Sequence, residues 1–243
     1  MTLDRRQFVS FTAAGALLGT ALPAFAAKKK TPPRLPKPTA PGKHAVRDLP
    51  FDPKKLTGLS EALLVSHHDN NYAGAVKNLN KVELELAQVT KDTPGFEVAA
   101  LRERELLFTN SMILHEHYFA NLGGDGKVGG DIEALITGTW STVGGWEEQF
   151  RATAMGLGGG SGWVTLDLNF QSGDLRIHSS QHHTQAVAFG QPLLVLDMYE
   201  HSYAIDYGAG HAKYIDAFFQ NIAWDEVNAR LGRTRGAYAA LHA

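Results

Sequence analysis

From Leu59 to about Gln88 apolar residues recur at helical spacing: Leu59, Leu63, Ala73, Val76, Leu79, Val82 and Leu86. That period predicts one long helix, kinked near Asn70-Asn71. The segment Thr93 to Gly95, read TPG, breaks it. A second helix is predicted from about Glu97 to Leu122, with Ala100, Leu107, Ile113, Leu114 and Phe119 apolar. Two long helices joined by a short break suggest an antiparallel helical hairpin. After the glycine-rich loop Gly123 to Gly130 the period shortens. Ile132 to Thr137 and Gly144 to Met155 predict two shorter helices, and Gly156 to Gly162 is another break. WVTLDLNF, from Trp163, alternates as a strand does. LRIHS and PLLVLDM follow as two more strands of a small meander, and Tyr214 to about Leu231 is helical again. The class is α+β: a helical hairpin over residues 48–125, then an α/β domain over 126–243 with a three-stranded antiparallel sheet.

The chain before residue 48 follows different rules. Arg5-Arg6, an apolar run from Phe11 to Leu22 and the small residues Ala24 to Ala27 have the layout of a secretory signal of the twin-arginine type over residues 1–26. The run is too short and too rich in glycine and alanine for a membrane span. Export to the bacterial periplasm of an already folded, cofactor-loaded protein is the expectation. Residues 27–47 hold seven Lys or Arg, five prolines and no acid, which predicts an extended, disordered linker. From Asp48 onward 14 basic residues face 24 acidic ones, a formal net charge of −10. An acidic body argues against nucleic acid as a partner, while the basic linker offers weak contact with an anionic envelope surface.

Cysteine is absent, so no disulfide framework exists and thiolate is removed from the possible metal ligands. The 11 histidines are many for 243 residues and they cluster: His67-His68, His115 with His117, His182-His183, and His201. A hairpin can bring His67, in the first helix, to His117, late in the second. Asp197 and His201 stand where the third strand ends. Three imidazoles and one carboxylate form a ligand set suited to Mn, Fe or Zn and poorly suited to Mg or Ca.

At these residues the chain resembles the iron/manganese superoxide dismutases, over nearly all of Leu49 to about Leu231. LSEALLVSHHDNNYAGAVKNLN resembles the family's first helix, LFTNSMILHEHYF its second-ligand helix, and GSGWV its strand entry. DMYEHSYAIDY resembles its aspartate–x–tryptophan–glutamate–histidine signature, with Tyr199 in the tryptophan's place. The resemblance implies one Fe or Mn ion per subunit on His67, His117, Asp197 and His201, with zinc also compatible. It implies superoxide as substrate, oxygen and hydrogen peroxide as products, and a homodimer in which Glu200 reaches the partner's ligand histidine. Trp163 takes the place of the active-site tryptophan.

The outer layer departs from the family. Its gateway tyrosine falls on Ala75, the histidine before it on Asn71, and the interface tyrosine, one past Tyr203, on Ala204. Tyr72, five residues after His67, reads as a packing residue on a straight helix. The substrate-guiding arginine falls on His211. The iron-type glutamine position falls on Ile113 and the manganese-type one on His183, beside His182, where an imidazole can partner bound solvent. The readings are a dismutase with an altered outer layer, a non-enzymatic metal-binding homologue, or a related metalloenzyme of different activity.

Overall fold

The computed structural model describes residues 38–157, 160–185 and 188–243. The signal segment and most of the linker lie outside them. Helix α1 (Glu61–Ser66) begins at Ser60, whose hydroxyl accepts the Leu63 N–H, an N-terminal cap. A π-helical segment, His67–Tyr72, follows without a break and leads into α2 (Ala73–Leu86). The kink expected near Asn70-Asn71 is therefore a wide turn rather than a bend. Helix α3 (Gly95–Ala120) packs along α2, completing the expected hairpin.

The end of the linker differs from the sequence reading. Gly42 N–H donates to Glu83, His44 N–H to Asn80 Oδ1, and the His44 ring lies 2.8 Å from Glu83. Gly42 and His44 are thus tied to α2. Composition hides this, because the tie is made by backbone N–H groups that any residue carries.

Helices α4 (Asp131–Trp140) and α5 (Val143–Gly156) precede the sheet. Strands β1 (Trp163–Asn169), β2 (Leu175–Ser180) and β3 (Gly190–Asp197) are antiparallel in the order β2-β1-β3. This is not the expected meander: β3 returns beside β1, which becomes the central strand, buried over nearly its whole length. The reason is visible in β1 and β3. β1 is buried at every position from Trp163 to Leu168, on both faces, and it pairs on one side with β3, whose Leu193 to Leu196 are also buried. Strands covered on both faces belong inside a sheet, and the polar Arg176, His178 and Ser180 suit an edge.

A short turn, Glu200–Ser202, and a single turn α6 (Ala204–Tyr207) lead to α7 (His211–Gln220) and α8 (Trp224–Leu241). The single C-terminal helix expected from the period is two, separated at Asn221–Ala223, where Leu122 and Ile222 form a bridge. Two buried polar side chains lock helices to the sheet. Asn121 donates to Val195 C=O at 2.8 Å and accepts its N–H at 3.2 Å. Arg230 donates to Leu193 C=O at 2.7 Å. Together they fix the end of α3 and the Arg230 turn of α8 against β3. No helix among the described residues is long and apolar enough to cross a membrane.

Gly162, at φ 151°, immediately precedes β1, and a Cβ there would lie 2.0 Å from the Ser180 carbonyl oxygen. That neighbour is backbone and cannot rotate away. Gly162→Ala is expected to cost on the order of 3 kcal/mol, read as a lower urea midpoint, and to disturb the adjacent Trp163. A change under about 0.5 kcal/mol would contradict the close approach.

Candidate metal centre

Asp197 ends β3 directly opposite Trp163 on β1, and it is fully buried. Its two oxygens are divided between two tasks. Oδ1 accepts the Tyr199 N–H at 2.8 Å. Oδ2 faces three imidazoles: His67 Nε2 at 3.1 Å, His201 Nε2 at 3.2 Å and His115 Nε2 at 3.6 Å. These four donor atoms lie within 4.8 Å of one another. The strand end is itself held, because the Tyr214 and Ser202 hydroxyls donate to Asp197 C=O at 2.7 and 2.9 Å.

The structure brings His67, Asp197 and His201 together, as the sequence suggested, but the fourth member is His115 and not His117. Two residues along a helix turn the side chain by about 200°, so only one of the pair can face the hairpin interior. His115 is buried, and its Nδ1 donates to Ser111 C=O at 2.6 Å, which leaves the Nε2 lone pair toward Asp197. His117 instead donates to Ile113 C=O and lines a separate surface cavity with Arg47, Glu116 and Arg230. The signal for His115 was present in α3. Phe108, Ser111, Met112, His115, Tyr118, Phe119 and Leu122 follow one 3–4 spacing, and it is the buried stripe. The resemblance placed the ligand two residues too far along, on the opposite face; Ile113, one turn before His117, is 39% exposed.

The donor set fits a transition metal. Burial lowers His67, and it lowers His115 to about 3, so both rings are neutral and available as ligands. Burial alone would raise Asp197, but His201 and His67 beside it hold the carboxyl below the usual range, hence ionised. His115 Nε2 is buried with no hydrogen-bond partner, the condition of a ligand atom awaiting an ion.

Around the four ligands stands an aromatic wall. The His183 ring stacks on Tyr199 at 4.7 Å and 11°, and Tyr199 stacks on His201 at 5.4 Å and 12°. Trp163 meets His115 edge-on at 5.0 Å, and its indole N–H donates to His183 Nδ1 at 3.0 Å. His183 lies 6.4 Å from His115 between ring centres, at the edge of the site, whereas His182 is exposed and bonded to Thr184. Glu200 is exposed beside His201, with no ion pair among the described residues. Tyr203 is buried against Tyr214 and His211. Asn71 is half-buried, Ala75 buried and Ala204 exposed.

Tyr72 packs in the core, as expected, but it also faces the site. It is 1% exposed, its ring centre is 6.3 Å from that of His115, and its hydroxyl donates to Glu116 and accepts the Arg47 N–H, each at 3.0 Å. The π-helical turn carries it round toward the ligands. Arg47 completes the group with an ion pair to Glu116 at 2.9 Å.

The neutral imidazoles set a pH dependence. Burial holds His115 at about 3 and His183 at about 4 in the folded chain, against 6.5 when unfolded. The unfolded chain therefore binds more protons as the pH falls, and the metal-free protein loses stability from about pH 6.5 downward. Stability of the metal-free protein from urea titrations at pH 7.5 and 5 should differ by on the order of 2 kcal/mol from His115 alone, with a smaller addition from the less buried His183, and His115→Gln should lessen the slope. A flat wild-type profile would contradict the buried neutral state.

Residues 128–230 match the family model described as the C-terminal domain of iron/manganese superoxide dismutases. A Cupriavidus metallidurans protein named as an iron superoxide dismutase is 46% identical over 188 residues, covering 77% of this chain and 95% of the relative. An Aquifex pyrophilus protein named the same way is 34% identical, covering 78% and 92%. A Halobacterium salinarum protein named as a manganese superoxide dismutase is 31% identical, covering 75% and 92%.

Proposed function

Since the chain belongs to the iron/manganese superoxide dismutase family, we propose that it is itself a dismutase, converting superoxide to oxygen and hydrogen peroxide with one iron or manganese ion on His67, His115, Asp197 and His201. The observation that carries this reading is the convergence of three imidazoles on Oδ2 of one buried carboxylate. When bound, the ion supplies one-electron oxidation and reduction.

The chain's own residues supply the rest. Three imidazoles and one carboxylate would cancel only one unit of a bound ion's charge, and the positive remainder would favour entry of an anion. The Tyr199 N–H keeps Asp197 Oδ1 occupied and so orients Oδ2. Trp163 and Tyr199 limit bulk water. The Trp163 N–H on His183 Nδ1 places the imidazole proton on Nε2, where His183 is a hydrogen-bond donor at the edge of the site. His183 and Trp163 are the residues to which we assign the proton-holding and positioning roles.

Elemental analysis followed by superoxide decay with the iron and manganese forms tests the proposal. Decay accelerated by either form supports it. A loaded protein inactive with both metals would instead favour a metal-binding homologue, the reading motivated by Asn71, Ala75 and Ala204. The paired arginines and small residues of 1–26 support export to the periplasm by a twin-arginine route. Exposed Glu200 and Ile205, the latter 54% exposed, support a homodimer through this face. Sedimentation of the chain without its first 26 residues measures the latter, and a monomer at micromolar concentration would exclude it.

A further inference from the structure

Trp163 also lines a second cavity, of about 440 Å³, between β1, β2 and α3. None of the four metal ligands borders it. Its apolar walls are Ile113, Leu114, Trp163 and Pro192, and its polar floor is Thr165, Asp167 and His178. The sheet register builds the floor. Thr165 pairs directly with His178 across β1 and β2, and Asp167 lies two residues along the same face.

The floor carries two unmet hydrogen-bonding atoms. Asp167 is 1% exposed; its Oδ2 accepts from the Thr165 hydroxyl at 2.9 Å, but its Oδ1 has no partner. His178 Nε2, 3.9 Å from Asp167 Oδ2, is likewise buried and unpartnered. The nearest cation in register, Arg176 opposite Asp167, is turned to Asp174 at 3.2 Å. A carboxyl oxygen buried without a donor costs on the order of 1–3 kcal/mol, more when charged. Here burial pushes Asp167 up to about 7, against the pull of the Thr165 hydroxyl. Folding alone does not explain a polar floor under apolar walls, since a leucine at 167 would fill the space without that cost. A cavity of this volume, mostly apolar with a few convergent polar groups, has the character of a small-molecule site.

We propose that this cavity binds a small organic cation with a planar N–H-rich head of the amidinium or guanidinium kind. The head donates to Asp167 Oδ1 and His178 Nε2, and a flat apolar body lies along Leu114 and Pro192. The two orphan atoms are both acceptors when the carboxyl is ionised, the state a bound cation favours, and the neutral imidazole holds its proton on Nδ1, so the complementary group is a donor of two hydrogen bonds. The same pair is an incomplete site for a divalent metal: only two protein donors are offered, and Thr165 already occupies Oδ2.

The test uses the metal-loaded full chain and benzamidine as probe, by calorimetry and ligand-observed NMR. Saturable binding is expected, weakened about tenfold or more in Asp167→Asn and for the neutral analogue benzamide. Leu114→Trp, which fills the cavity and leaves Asp167 in place, should also abolish it. Bound metal content identifies variants that still fold. The proposal is overturned if benzamidine does not bind at millimolar concentration. It is equally overturned if Asp167→Asn or benzamide binds as well as the reference pair. Uptake of a second equivalent of zinc that needs Asp167 and is not displaced by benzamidine would assign the cavity to a metal instead.

Discussion

Asp197→Ala should leave the chain without metal. Its Oδ2 is the point on which His67, His115 and His201 converge, and its Oδ1 is the acceptor for the Tyr199 N–H. The substitution removes the only charged donor and frees a backbone N–H at a buried strand end. Two losses follow. Metal content is expected to fall below about a tenth of the wild-type value, because three neutral imidazoles alone bind a trivalent ion poorly. Stability of the metal-free protein should also drop by about 2–4 kcal/mol. Elemental analysis after dialysis reads the first, and a urea titration reads the second. Asp197→Asn separates them, since it keeps an acceptor for Tyr199 but not the charge. Unchanged metal content in either variant would remove Asp197 from the ligand set.

The second large effect distinguishes two neighbouring histidines. His115→Ala should lower metal affinity by at least about 100-fold, with superoxide decay falling in proportion to the metal lost. His117→Ala should change affinity by less than about twofold, because that ring is bonded to Ile113 C=O on the other side of α3. The reverse order would mean that α3 is rotated by about half a turn from the arrangement described. Competition with a chelator of known affinity, run on both variants, decides between the two.

How legible the fold was depends on the kind of signal. The hairpin, the three strands and the split at the glycine-rich loops follow from period and punctuation, which local sequence carries. The strand order did not, because the central place of β1 shows only in its pairing with both β2 and β3, a property of the whole sheet. Asp197 and His201 were legible because the strand end and the turn after it are short and rigid. The resemblance alone does not separate His115 from His117, which lie two residues apart; the buried stripe through Ser111, Met112 and Tyr118 does. The group of Tyr72, Glu116 and Arg47 joins three distant segments. No local pattern marks it.

The π-helical segment explains one of these differences and carries a further meaning. Over six residues its wider turns lag an α-helix by on the order of one residue step. Side chains beyond His67 therefore take the heading that the preceding residue would have on a straight helix. Tyr72 acquires the azimuth of the fourth position after the ligand, and half-buried Asn71 is turned aside from it. Position numbers along this stretch are not angular addresses. Exchanging residues here with another protein by equal count would preserve chemistry only if the donor helix has the same phase slip at the same place.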